Sequence, residues 1–284
     1  MTAQQDDMVL HNIERLYTFP GEGPVPGTMM DSPTIIEGAA LTIAKGKITM
    51  VGKEQEIWDN ADIASDAVCI DCRGKCVVPG FVDPHTHLVF AGTREFEIAL
   101  KLKGASYLDI LNAGGGILRT MNDTREASLD DLVQDLDRRL DKMLRYGTTT
   151  VEIKSGYGLD RETELRLLEA VKASGHPIEK VSTFLGPHAV PPEFKHDPDA
   201  FIDLMIETAR EAASRELAEF ADIFCETGVF NEEQSRRFLT AAKEAGLKEA
   251  AFGEGSETGE DQASIAQGFL GIVFKYGSEK DVIP

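Results

Sequence analysis

From residue 79 onward, short apolar runs alternate with stretches whose apolar positions recur every three or four residues. This alternation predicts strand and helix units joined as βαβ connections, hence a parallel sheet. The first strand is read from Val77, Val78, Phe81 and Val82. A helix follows with Leu129, Leu132, Val133, Leu136, Leu140, Met143 and Leu144 on one face, entered through Ser128 and Asp131 and stopped at Gly147. The strand at 148–153 leads to a helix capped by Asp160, carrying Leu165, Leu168 and Val171 and ending at Gly175. A strand at 181–185 comes next. Asp197-Pro198 then opens a helix with Phe201, Leu204, Met205 and Ala209 facing inward, proline taking a position where its missing N–H costs nothing. The strand at 221–225, a helix from Asn231 with Gln234 to Gly246, and a strand at 247–252 complete about five units. An eight-stranded barrel requires more.

Residues 8–78 follow a different pattern. Strand signals fall at 8–18, at 40–48 around Lys45-Gly46-Lys47, at 48–51 leading to Gly52, and near Ile57, with a Gly/Pro-rich loop at 20–33. Residues 68–78 read as two short strands about the turn Arg73-Gly74-Lys75. The expected architecture is α/β: an incomplete TIM-like (β/α) barrel over 79–284, preceded by a small antiparallel β-domain over 1–78.

Composition narrows the function classes. Forty-nine acidic against 29 basic residues in 284 give a formal net charge of −20, spread along the chain. That charge repels nucleic acid and anionic membranes, so neither is an expected partner. No apolar run reaches the ~20 residues of a membrane span, and the start Met-Thr-Ala-Gln-Gln-Asp-Asp lacks a signal peptide's basic and apolar regions. A soluble, cytoplasmic protein is expected. Cys69, Cys72 and Cys76 are spaced to share a metal, but two strands with small buried thiols is the simpler reading.

The candidate chemistry begins where the first barrel strand ends. His85 and His87 lie two residues apart, so both imidazoles leave the strand on one face and can converge on a metal ion. Neutral imidazole suits zinc or ferrous iron, and the C-terminal ends of the strands are where parallel barrels place their active sites. The run Pro79-Gly80-Phe81-Val82-Asp83-Pro84-His85-Thr86-His87-Leu88 resembles the first barrel strand of the amidohydrolase superfamily. Val89-Phe90-Ala91-Gly92-Thr93-Arg94-Glu95, Lys103-Gly104-Ala105-Ser106-Tyr107, Ala113-Gly114-Gly115-Gly116-Ile117 and Glu152-Ile153-Lys154-Ser155-Gly156-Tyr157-Gly158 resemble one family within it, the imidazolonepropionases. The match is dense over 65–248.

The resemblance implies a hydrolase of histidine degradation that opens 4-imidazolone-5-propanoate to N-formimidoyl-L-glutamate with one divalent metal, Zn2+ or Fe2+. His85 and His87 would hold the metal. Arg94, Tyr157 and His188 would bind substrate, with His188 also acting catalytically on developing oxyanion charge. Pro187 before His188 departs slightly from the family's usual alanine. Taken without the resemblance, Arg94 is a surface ion pair with Glu95 or Glu97, and Tyr157 is a packed loop tyrosine. Lys154 is expected to pair with Glu152 or a nearby acid. Gly114-Gly115-Gly116 reads as a flexible loop near the substrate, and Phe224–Phe230 as a shaping string. His11, His176 and His196 read as surface residues.

The resemblance fails after Lys248. The family's third ligand histidine and catalytic glutamate align with Phe252 and Gly255, and its aspartate ligand falls beyond Pro284. Sliding the alignment brings Glu254 in as a substitute. A second expectation therefore stands beside the first: a catalytically inactive barrel piece that binds a ligand or partner. Its uncovered sheet edges make a homodimer an expected form.

Overall fold

The computed structural model describes residues 5–19, 32–106, 109–110, 113–226 and 228–249. These form two compact units, divided between Val82 and Asp83. Among the described residues no helix is long and apolar enough to cross a membrane.

In the first unit, β1 (Asp6–Thr18), β2 (Thr34–Ala44), β3 (Lys47–Lys53), β4 (Ile63–Asp71) and β5 (Cys76–Val77) form one sheet. Its order is β3-β2-β1-β4, with β5 also on β1. β1/β2 and β2/β3 are antiparallel, while β4 and β5 join β1 in parallel. Val9, Ile13, Leu16, Ala39 and Leu41 are buried on it. The run expected as one strand at 40–48 is a hairpin. Lys45 and Gly46 both take positive φ, 51° and 75°, the pair of values a two-residue turn needs to match strand twist.

Three local expectations for this unit are corrected. The region near Ile57 is a helix, α1 (Glu54–Asn60), in which Ile57 is the buried residue and Glu54 and Glu56 occupy the dipole-favoured first turn. The strands at 68–78 do not pair with each other across Arg73-Gly74-Lys75. Both pair with β1 instead. Of their thiols, Cys72 is buried, whereas Cys69 and Cys76 are exposed. Among the described residues no group of three or more His, Cys, Asp or Glu side chains is placed to hold a metal ion. Most of the loop at 20–33 lies outside the described residues.

The second unit is a curled half-barrel. Its sheet runs β6 (Phe81–Thr86), β7 (Thr148–Lys154), β8 (Glu179–Phe184), β9 (Phe220–Ala221) and β10 (Lys248–Glu249) in chain order. The pairs β7/β8, β8/β9 and β9/β10 are parallel. Between strands come α2 (Phe96–Leu102), α3 (Ile117–Glu126), α4 (Leu129–Arg145), α5 (Arg161–Ala173), α6 (Pro198–Ser214) and α7 (Glu232–Glu244).

The caps predicted from sequence form. Ser128, Asp160 and Asp197 side chains accept from the backbone N–H groups of Asp131, Thr163 and Ala200. Asn231 and Gln234 satisfy each other's backbone N–H groups in a capping box. Leu132, Leu136 and Leu140 of α4 pack with Val151, Ile153, Leu167 and Val171. Leu144, expected on that face, is exposed. Phe184, Phe201, Met205, Phe230 and Phe238 build a second core between β8, α6 and α7.

The strand expected at 221–225 is two residues long. After Ala221 the chain turns Asp222 inward, and Cys225 makes an isolated bridge with Phe230. Beyond Glu249, the strand expected to reach 252, and with it Phe252, Glu254 and Gly255, lies outside the described residues.

Candidate active site

β6 delivers the two histidines as the strand period requires. Thr86, between them, points to the buried side, where its hydroxyl donates to the Glu152 carbonyl at 2.5 Å. His85 and His87 therefore turn the other way, with ring centroids 5.6 Å apart. The Tyr157 ring, beyond β7, lies 5.5 Å from His87, and the His188 ring, beyond β8, stacks on His87 at 4.9 Å with 14° between planes. Tyr157 and His188 are 5.4 Å apart. The C-terminal ends of three adjacent strands thus bring four of the five sequence-predicted residues into one cluster, flanked by Phe90 against Tyr157 and Phe224 against His188.

Arg94 is half-exposed and pairs with Glu97 at 3.5 Å, the partner its own sequence neighbourhood suggested. Burial raises the pKa of the Tyr157 hydroxyl, opposed by the charge of Arg94. Tyr157 stays protonated and able to donate. Glu97 also accepts from the Gly116 N–H at 2.7 Å, so one buried carboxylate ties Arg94 to the triple-glycine loop that the sequence suggested was flexible.

The imidazoles differ in electrostatics. Burial, then the neighbouring His188, His85 and Lys154, pushes His87 down to about 3. Burial also lowers His188, opposed by its bond to Gly156. That bond, His188 Nδ1 to the Gly156 carbonyl at 2.9 Å, fixes the tautomer. A carbonyl only accepts, so Nδ1 carries the proton and the neutral ring presents a lone pair at Nε2. The oxyanion role expected of His188 needs a proton on Nε2, which only the imidazolium has.

Beneath the cluster, Lys154 is fully buried, with Nζ 2.8 Å from Glu152 and 3.0 Å from Asp222. Burial alone lowers a lysine pKa, but the two carboxylates outweigh it and keep this one raised and charged. The sequence suggested the first partner and not the second. It also missed Glu164, although that residue carried a signal. Its spacing to Leu168 and Val171 puts a carboxylate on the apolar stripe of α5. His176, expected at the surface, has a side chain only 7% exposed beside Asp141.

The donors bear on whether a metal fits. His87 Nδ1 is buried without a hydrogen-bond partner among the described residues, and a neutral ring with an unused nitrogen is what a divalent cation accepts. His85 and His87 thus suit part of a ligand set. Among the described residues no group of three or more His, Cys, Asp or Glu side chains completes one.

The low pKa of His87 makes a measurable prediction. As pH falls through 6.5, the unfolded chain takes up a proton that the folded ring refuses until about 3. Stability is therefore full above pH 6.5 and is lost progressively below it. The slope is about 1 kcal/mol per pH unit, reduced from the one-proton limit for the part of the ring that water reaches. Urea unfolding in chelator should show His87→Asn losing that share of the slope, whereas parallel pH curves would count against the assignment.

Comparison with known proteins decides the lineage. The chain is 49% identical over 246 residues to imidazolonepropionase from Alkaliphilus metalliredigens, covering 85% of this chain and 58% of that protein. It is 51% identical over 244 residues to imidazolonepropionase from Bacillus thuringiensis, covering 85% and 57%. The matched stretch is homologous to imidazolonepropionase. The chain spans somewhat over half the length of these curated imidazolonepropionases, and no family model matches it.

Among solved structures it resembles Escherichia coli guanine deaminase (TM-score 0.55, 16% identity, 97% of this chain and 58% of that one). It also resembles zinc-complexed atrazine chlorohydrolase from Arthrobacter aurescens (TM-score 0.55, 18% identity, 97% and 58%). Both likenesses bear on fold alone and agree with the curled half-barrel seen here.

Proposed function

We propose that this site serves the imidazolonepropionase reaction, opening the ring of 4-imidazolone-5-propanoate to N-formimidoyl-L-glutamate in a soluble, cytoplasmic setting. The supporting observation is the convergence of His85, His87, Tyr157 and His188 at the ends of β6, β7 and β8. His85 and His87 would hold one divalent metal, Zn2+ or Fe2+, which when bound makes a water acidic enough to supply hydroxide near neutral pH. Tyr157 donates a hydrogen bond to the substrate. Arg94 receives its carboxylate through a fork of donors. His188 accepts from a ring N–H at Nε2, the role its tautomer allows, and Phe90 and Phe224 screen the cluster from water.

The sparse metal-ligating set among the described residues favours a second reading, binding without turnover. Purified chain supplied with zinc or iron and the substrate, followed by ring absorbance, separates the two. The first reading expects absorbance loss above a metal-only control. No loss, with substrate still raising the unfolding temperature, establishes the second, and neither effect rejects both.

A further inference from the structure

The loop presenting Tyr157 is held from inside by one carboxylate. Glu164 is fully buried on α5, and every bond it makes here is accepted from a donor. Oε2 accepts from Gly156 N–H at 2.8 Å, and Oε1 from Gly158 N–H at 2.7 Å and Leu159 N–H at 2.9 Å. The Ser155 hydroxyl is a fourth donor. Tyr157 is thereby bracketed on both sides. The loop needs such anchoring, because Leu159 is held at φ +53°, a left-handed value that a side-chain-bearing residue in a free chain would relax. Arg125 grips the same turn from outside through the Gly158 and Leu159 carbonyls, at 2.8 and 3.1 Å.

The same carboxylate reaches His188 along two routes. Gly156, whose N–H it binds, offers the carbonyl that takes the His188 Nδ1 proton. Ser155, whose hydroxyl donates to Glu164, accepts from Leu185 N–H at 3.0 Å, three residues before His188. We propose that Glu164 is a positioning residue for the substrate site, fixing the Tyr157 hydroxyl and the His188 tautomer through the 155–159 loop. This rests on the ring-opening reading for its purpose, but its geometry can be tested without turnover.

Glu164→Gln is the discriminating change, since it preserves size and removes one acceptor. The amide oxygen stays where two N–H groups converge, at Gly158 and Leu159. The NH2 then falls against Gly156 N–H, the residue that carries the His188 bond. In the full chain labelled with 15N-histidine, the Nδ1–H signal of His188, assigned by its absence in His188→Asn, should exchange slowly with water. In Glu164→Gln it should exchange about tenfold or more faster, because the Gly156 N–H then faces an NH2 instead of an acceptor, while circular dichroism stays unchanged. If Glu164→Gln does not fold, Glu164→Asp keeps the charge with a shorter reach and should move the signal the same way.

An Nδ1–H signal equally protected in the folded variant, or never protected in the parent, overturns the proposal. Where the parent turns over substrate, kcat should fall more than KM changes. A purely stabilising residue would lower unfolding temperature and leave both the signal and that ratio alone. A parent with a protected signal and no turnover rejects the ring-opening reading and leaves the positioning intact.

Discussion

Replacing Lys154 with methionine should lower the unfolding free energy by about 3–5 kcal/mol, since it leaves two buried carboxylates without their cation. Lys154 is fully buried, Glu152 and Asp222 nearly so, and the pairings span 2.8 and 3.0 Å. The triad ties the end of β7 to the residue following β9, with β8 between them, so its loss should loosen the floor of the ring cluster as well. Taking charges out of water is costly, and most of the expected effect is this penalty exposed rather than the attraction lost. The triple change Lys154→Met, Glu152→Gln, Asp222→Asn should therefore recover much of the stability. Urea unfolding of the three proteins checks both statements. A single variant within ~1 kcal/mol of the parent, or a triple variant less stable than the single, would contradict the account.

Gly156→Ala carries the second large effect. At φ +109° a side chain is strained whatever the surrounding space, and here the space is also absent. A Cβ would lie 2.8 Å from the Leu185 carbonyl oxygen and 3.0 Å from His188 Nδ1. Backbone strain and overpacking together should cost roughly 2–6 kcal/mol, and the relief available is to push His188 off the Gly156 carbonyl. Thermal unfolding and the His188 Nδ1–H signal should both change. Alanine at Gly175, where a Cβ would meet nothing within 4 Å, is the control and should leave both close to the parent. Equal behaviour of the two variants would show that the loop is looser than its hydrogen bonds indicate.

What the sequence made legible was what depends on near neighbours. The caps at Ser128, Asp160, Asp197 and Asn231 each need a residue three positions on, and all four formed. The histidines at i and i+2 share a strand face, and their rings do lie together. Features set by distant partners were hidden. β4 and β5 choose β1 over each other, which turned a local hairpin reading into parallel pairing and left Cys69 and Cys76 exposed. The second partner of Lys154 is 68 residues away and sits where the strand expected at 221–225 gives out. Near Ile57, one buried position in seven residues gave neither alternation nor helical period, and α1 formed on its acidic first turn. Glu164 was readable in principle, as a carboxylate on an apolar stripe, because burying such a group requires donors that only a tight loop can supply.

Cobalt binding gives the most direct test of the central claim, that His85 and His87 open onto a metal position beside Tyr157 and His188. The chain titrated with Co2+ after chelator treatment should take up one ion, with a visible absorption band that the double variant His85→Ala, His87→Ala loses. No uptake by the parent, or the same band and stoichiometry in the double variant, would contradict it.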